Sequence, residues 1–263
     1  MNYLLFKKKI RRLAARLGIL RPLKSLVIRL RGGDHQHRMA LEWYAQFIKP
    51  GQLVFDVGAN RGQSSELFIK LGARVVAFEP QQDLHEEIRQ LCGNSPNLKI
   101  ESFGLGESED TRLLYITAYD QVASLREDWE GARIGESDVQ ISSLDCQIEI
   151  NGLPHYCKID VEGWEENVIS GLHHAIPIIS FEYHLSPSEA ERAINVLNMI
   201  SKLGPYKCNM KEENGHGFAL PTSLSILEFR DRFPNHLGIT LKDGYGDIYA
   251  SLDPAAICAA RMA

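Results

Sequence analysis

No stretch of this 263-residue chain approaches the roughly 18 consecutive apolar residues of a membrane-spanning helix. Cysteine is scarce. The five residues Cys92, Cys146, Cys157, Cys208 and Cys258 are dispersed and odd in number, and no two share a metal-ligand spacing. That excludes a disulfide scaffold and a zinc ribbon, and it favours a reduced, cytoplasmic setting. Glycine (21) and proline (11) are too few for a collagen-like or low-complexity chain. A clean secretory leader is missing too, because Lys7, Lys8, Lys9, Arg11, Arg12 and Arg16 break every apolar run at the start.

Acid is absent from residues 1–33, which hold ten of the 29 basic residues. The rest of the chain then carries 19 bases against 34 acids, a net −15 behind an overall −5. Phe6, Ile10, Leu13, Leu17 and Leu20 recur at helical spacing within the basic head. The spacing predicts an amphipathic helix that either lies on an anionic membrane through residues 1–31 or docks on the body. The acidic body argues against nucleic acid as a partner.

Beyond the head, apolar runs and helical patterns alternate. Strands are expected at 53–57, 74–78, 98–103, 113–117, 139–144, 156–161, 176–181, 206–210 and 247–251. Helices are expected at 35–48, 63–71, 83–92, 164–172, 187–203 and 224–232. This alternation predicts an α/β fold, a doubly wound sheet at 50–263 with a helical extension at 1–49.

The first strand feeds Asp56-Val57-Gly58-Ala59-Asn60-Arg61-Gly62 and then a helix. Glycines allow a sharp turn and close approach of a ligand to the backbone. The spacing Gly58 to Gly62 is G-x-x-x-G, unlike the G-x-G-x-x-G of dinucleotide sites, and there is no phosphate-loop Lys-Ser/Thr. Glu79, after the second strand, can accept hydrogen bonds from both hydroxyls of a ribose. A ligand with a ribose and no pyrophosphate cradle fits best, which points to S-adenosyl-L-methionine.

Four motifs together resemble the FkbM-type methyltransferase family: VFDVGANRGQSS (54–65), VVAFEP (75–80), SLDCQ (143–147) and KIDVEGWEENVISG (158–171). The resemblance spans about residues 50–184. It implies a Rossmann-like class I methyltransferase sheet of seven strands, the last antiparallel, and O-methylation of a hydroxyl on a sugar, glycan or natural product. It also implies that Asp56, Gly58, Ala59, Asn60, Gly62 and Glu79 line the cofactor site, with Gly104 and Leu105 near adenine.

Ligands of open α/β sheets bind at the carboxyl ends of the strands. Asp160 and Glu162 end one such strand, two residues apart and so on one side of an extended chain. Glu182 and His184 repeat the arrangement after the next strand. A hydroxyl nucleophile needs a proton acceptor within about 3 Å, and these four are the candidates, Glu162 first, then Asp160, Glu182 and His184. Acids alone can hold Mg²⁺, but their spacing is not diagnostic and no metal is expected. His35/His37 and His173/His174 do not read as metal sites, and Trp129 and Trp164 read as packing residues or as a face for a sugar. The competing expectation is a scaffold protein that keeps this fold without turnover. The stretch 118–138 and the residues after 185 are expected to shape the acceptor pocket.

Overall fold

In a computed structural model, described for residues 34–117, 123–128, 133–235, 237, 241 and 244–258, the alternating pattern becomes two sheets with helices packed on them. The basic head and Trp129 lie outside the described residues. The chain divides into two units, Met1–Glu42 and Trp43–Ala263. Of the first, only the start of helix α1 (Asp34–Ala45) is described. No helix among the described residues is long and apolar enough to cross a membrane.

The second unit is built on β1 (Leu53–Val57), α2 (Gln63–Lys70), β2 (Arg74–Phe78), α3 (His85–Leu91) and β3 (Leu98–Glu101). Next come β4 (Gly104–Gly106), β5 (Asp110–Thr117), β6 (Ala123–Ser124), β7 (Arg133–Ser143) and α4 (Leu144–Asn151). β8 (Tyr156–Ile159), α5 (Glu165–Ser170), β9 (Ile178–His184) and α6 (Pro187–Leu203) follow. The chain closes with β10 (Lys207–Glu212), β11 (Leu224–Ser225), α7 (Ile226–Arg232) and β12 (Tyr245–Ser251).

The large sheet has the order β11-β10-β12-β9-β8-β1-β2-β3. β9, β8, β1, β2 and β3 run parallel, and β12 is antiparallel to both β9 and β10. Every residue of β1 and β8 is buried, as expected of strands covered on both faces. Seven strands match the expected sheet. The eighth, β11, is a two-residue edge that the helical reading of 224–232 had absorbed. Ser225 instead caps α7, in a reciprocal box with Glu228, so the helix begins two residues later than expected, at Ile226. The order reverses between β1 and β8, and open sheets of this kind leave a crevice at that point.

The small sheet, β4-β7-β5-β6, is the larger departure. β3 ends at Glu101, and the chain crosses at Ser102 and Phe103 into β4, so Gly104 and Leu105 belong to this second sheet. β5 and β7 pair over most of their length. Residues 144–151, read in part as the end of a strand, form α4, with the Ser143 side chain accepting from the Cys146 N–H at its start. The main core covers one face of the large sheet, where Phe55, Phe78, Ile159, Phe181 and Ile248 share a side and Leu197 of α6 packs on them. On the other face Trp43, Phe47, Tyr156 and Tyr249 interlock, and Trp43 Nε1 donates to Tyr249 Oη at 2.7 Å.

Candidate functional site

A cleft partly open to solvent lies beyond the ends of β1, β2 and β8. Of the expected cofactor residues, Gly58, Asn60, Glu79, Gly104 and Leu105 line it, and so do Asp160 and Glu162. Asp56, Ala59 and Gly62 are not among the lining residues. Asp56 is fully buried below the loop, where its Oδ2 accepts from Ser65 Oγ at 2.6 Å. Ala59 is buried with its N–H on the Phe78 carbonyl, and Gly62 packs on Ile88 at the head of α2. These three shape the loop from behind.

Gly58 shows why the loop sequence matters. Its φ is +82°, and a Cβ placed there would stand 1.9 Å from the Asp160 carbonyl oxygen. Only glycine lets the β1 and β8 loops meet. Gly58→Ala combines left-handed strain with a backbone overlap, so it should cost about 3–5 kcal/mol of stability, read from urea unfolding. An alanine variant as stable as the wild type would overturn this account of the contact.

Glu79, 4% exposed, holds the loop from the other side. Its Oε2 accepts from the Asn60 N–H at 2.7 Å and its Oε1 from the Gln81 N–H at 2.8 Å. Burial pushes its carboxyl up to about 7, against the pull of these two backbone donors. A carboxylate can still accept further bonds on each oxygen. Asn60 itself has φ +49°, and its Oδ1 is buried with no hydrogen-bond partner.

Asp160 is paired with the buried Lys158, Nζ to Oδ2 at 2.6 Å. Glu162 has φ +54°, rare for a side-chain-bearing residue. Two contacts hold it so. Its carbonyl accepts from Ser124 Oγ at 2.8 Å, and Glu165 Oε1 receives the N–H groups of Val161 and Gly163 at 3.1 and 3.2 Å. Glu165 was not among the expected site residues, although it stands in the KIDVEGWE motif. A buried acid just after a strand-end turn was the available signal.

Glu182 and His184 do not line the main cleft. They line a smaller, tighter cavity with Glu165, Glu189, Arg192 and Ala193. Glu182 Oε2 and His184 Nε2 are 3.2 Å apart. Register nevertheless brings them to the first pair, because β8 and β9 lie side by side and parallel. Glu162, Glu182 and His184 offer ligand atoms all within 4.8 Å of one another, and such a set can hold a divalent cation. Spacing along the chain does not show this cluster, since two adjacent strands create it.

Burial, then the charges of Glu182 and Asp160, push Glu162 up to about 8. Burial pushes Glu165 up to about 7 and Asp247, opposite Glu182, up to about 6. Glu182 is also raised by burial, and the hydrogen bond to Glu182 raises His184. For each group the folded value lies above the unfolded one. Their favourable contribution is full below about pH 4 and is lost as pH rises through about 6 to 8. The thermal midpoint of the ligand-free protein should therefore fall from about pH 5.5 to 8.5, and Glu162→Gln should flatten the fall. A midpoint that climbs over this range in calorimetry would contradict the arrangement.

The far wall of the cleft comes from the small sheet: Leu105, Leu114, Ala123 and Leu125. The family resemblance had marked Leu105 of these, and Ala123 and Leu125 fall in the stretch 118–138 expected to shape the acceptor pocket. Trp164 also lines the cleft, and its Nε1 is buried with no hydrogen-bond partner.

Residues 56–214 match the family described as Methyltransferase FkbM domain. The chain belongs to the FkbM methyltransferase family. The expected resemblance, drawn over 50–184, thus extends further along this FkbM methyltransferase. Among curated proteins none matches it. Solved structures with a similar chain path include a precorrin-6y C5,15-methyltransferase from Geobacter metallireducens GS-15. Identity there is 10%, TM-score 0.43, with 81% of this chain and 85% of that one covered. A putative rRNA-methylase from Clostridium thermocellum shows 10% identity and TM-score 0.44 over 80% of this chain and 92% of that one. A TehB-like SAM-dependent methyltransferase from Corynebacterium glutamicum shows 10% identity and TM-score 0.44 over 88% and 98%.

Proposed function

We propose that this FkbM-family methyltransferase uses S-adenosyl-L-methionine to methylate a hydroxyl on a small molecule or glycan. The observation that carries the reading is the cleft at the sheet's reversal point. There Glu79 faces in from the end of β2, and Glu162 from the turn after β8. The cleft also buries an acceptor, Asn60 Oδ1, and a donor, Trp164 Nε1, that lack protein partners. A nucleoside, which offers both donors and acceptors, fits those two atoms. Bound there, the cofactor supplies an activated methyl on a sulfonium centre.

The residues then have separate tasks. Glu79 receives the ribose hydroxyls. Asn60 would contact the cofactor through its side-chain amide, and the Gly58 loop through its backbone. Leu105, Leu114 and Leu125 give an apolar wall suited to an adenine ring. Asp160, held by Lys158, and Glu162 would offer the sulfonium charge two carboxylates. Glu162, with its raised carboxyl, takes the proton from the acceptor hydroxyl, and Glu182 and His184, behind it, position and tune that carboxyl. The acidic balance of residues 34–263 favours a neutral or cationic acceptor over a nucleic acid. Contact of residues 1–31 with anionic lipid remains part of this reading and is tested by flotation with acidic vesicles, comparing the full chain with one begun at Asp34.

Calorimetry with S-adenosylhomocysteine, followed by a radiolabelled-methyl screen over hydroxylated acceptors, tests the proposal. Micromolar binding and label on an alkali-stable ether are expected. Binding of NAD but not of S-adenosylhomocysteine would overturn the cofactor. Tight binding with no transfer to any acceptor would favour the scaffold alternative.

A further inference from the structure

The far wall of the cleft reaches it from a separate sheet, so something must hold that wall at the right distance. The described segment 123–128 contains the means. Ala123 and Leu125 line the cleft, and Ser124 and Arg126 point their bonds elsewhere. Ser124 Oγ donates to the Glu162 carbonyl at 2.8 Å and accepts from the Arg126 N–H at 3.1 Å. Arg126 is only 8% exposed. Its Nη1 lies 2.9 Å from both carboxylate oxygens of Glu189, in the first turn of α6. Its Nε and Nη2 grip the two oxygens of Asp128 at 2.9 and 2.8 Å.

Asp128 and Glu189 differ in weight. Asp128 is largely exposed, so its pair is screened by water and worth little. Glu189 is mostly buried, and a guanidinium–carboxylate pair there is stronger. Glu189 also lines the smaller cavity beside Glu182 and His184. One arginine therefore links three things: the apolar cofactor wall, the turn that carries Glu162, and the helix that borders Glu182 and His184.

We infer that Arg126 is a positioning residue that, through Glu189 and Ser124, clamps the small-sheet wall over the cofactor and holds Glu162 in its left-handed turn. It touches neither cofactor nor acceptor. It sets the cleft width on one side and the aim of the proton acceptor on the other. The inference rests on the function proposed above, and the experiment keeps the two apart.

Three variants of the full chain are compared: Arg126→Lys, Glu189→Gln and Ser124→Ala. Arg126→Lys keeps the charge and loses the planar grip. Glu189→Gln keeps the shape and weakens the pair. Both should raise the dissociation constant for S-adenosylhomocysteine by about tenfold to 100-fold, since a buried charged hydrogen bond is lost in each. Ser124→Ala should lower kcat by about tenfold with less than about a threefold change in cofactor affinity, because its bond bears on Glu162 and not on the wall. The exchanged pair Arg126→Glu with Glu189→Arg should recover part of the affinity lost by either single change. A merely structural arginine would lower the melting temperature and leave the affinity of the folded protein unchanged, and that result would overturn the inference.

Amide hydrogen exchange on the ligand-free protein gives a readout independent of any cofactor. Exchange at 123–128 should quicken in Arg126→Lys relative to wild type, with β1 and β8 unaffected. If wild type binds no S-adenosylhomocysteine, the functional reading fails, and exchange alone decides the clamp. Unchanged exchange in the variant would overturn it.

Discussion

Glu79→Ala is expected to weaken binding of S-adenosylhomocysteine by about 100-fold, the largest loss of affinity for any single change in the cleft. The carboxylate has two jobs at once. It accepts the Asn60 and Gln81 N–H groups, and it faces the cleft with acceptor capacity left over. Alanine removes the acceptors for two ribose hydroxyls, and each bond to a charged group is worth about 1.5–3 kcal/mol. It also leaves the Asn60 N–H without its carboxylate, at a residue whose φ is already +49°. Glu79→Gln keeps one oxygen and should lose about tenfold. The raised carboxyl of Glu79, about 7, adds a pH signature. Hydroxyl donors favour the ionised form, so binding should release a proton below about pH 7 and affinity should rise with pH up to that point. Calorimetry in buffers of different ionisation enthalpy measures the proton count. Equal affinity for wild type and Glu79→Ala would remove Glu79 from the cofactor site.

How much of this site the sequence disclosed depends on whether a residue's neighbours are local. The Gly58–Gly62 loop was legible because one apolar strand, a glycine turn and one helix follow each other directly. Glu79 was legible for the same reason, one strand later. Asp56 stands in the same motif yet lies behind the loop, because the motif does not say which member turns into the cleft. The small sheet was legible only in part. Strands at 113–117 and 139–144 were expected, but the first half of β7 is largely exposed, so its apolar pattern is faint, and its pairing with β5 rests on registry between distant segments. That pairing is what makes Leu114, Ala123 and Leu125 one wall of the cleft. Glu182 and His184 were found as strand-end residues, and their distance from the main cleft was not. β9 runs three residues past its expected end, to His184, paired there with Tyr245 of β12. Pairing across a sheet is information held by two segments together, and one segment read alone does not contain it.

Glu162→Gln is expected to lower kcat by about 10²–10⁴ while leaving the cofactor dissociation constant within about threefold of wild type. Glu162 lines the cleft, whereas Glu182 and His184 lie behind it. Its turn is fixed by Ser124 and Glu165, so the carboxylate is aimed without help from substrate. Its environment is also suited to the task. Burial and the neighbouring charges of Glu182 and Asp160 raise it to about 8, making it a stronger base once ionised. A base must be deprotonated to act, so kcat/KM should climb with pH and level off above about 8. A cationic cofactor beside it favours the ionised form, so with cofactor saturating the same limb should shift to lower pH. Glutamine cannot titrate, and the limb should vanish with the rate. Glu182→Gln and His184→Gln serve as the contrast. They should lower kcat less than Glu162→Gln does, and Glu182→Gln should move the limb to lower pH by removing a like charge without abolishing it. If Glu162→Gln keeps the limb and Glu182→Gln loses it, the proton goes to Glu182, and the acceptor must enter through the smaller cavity.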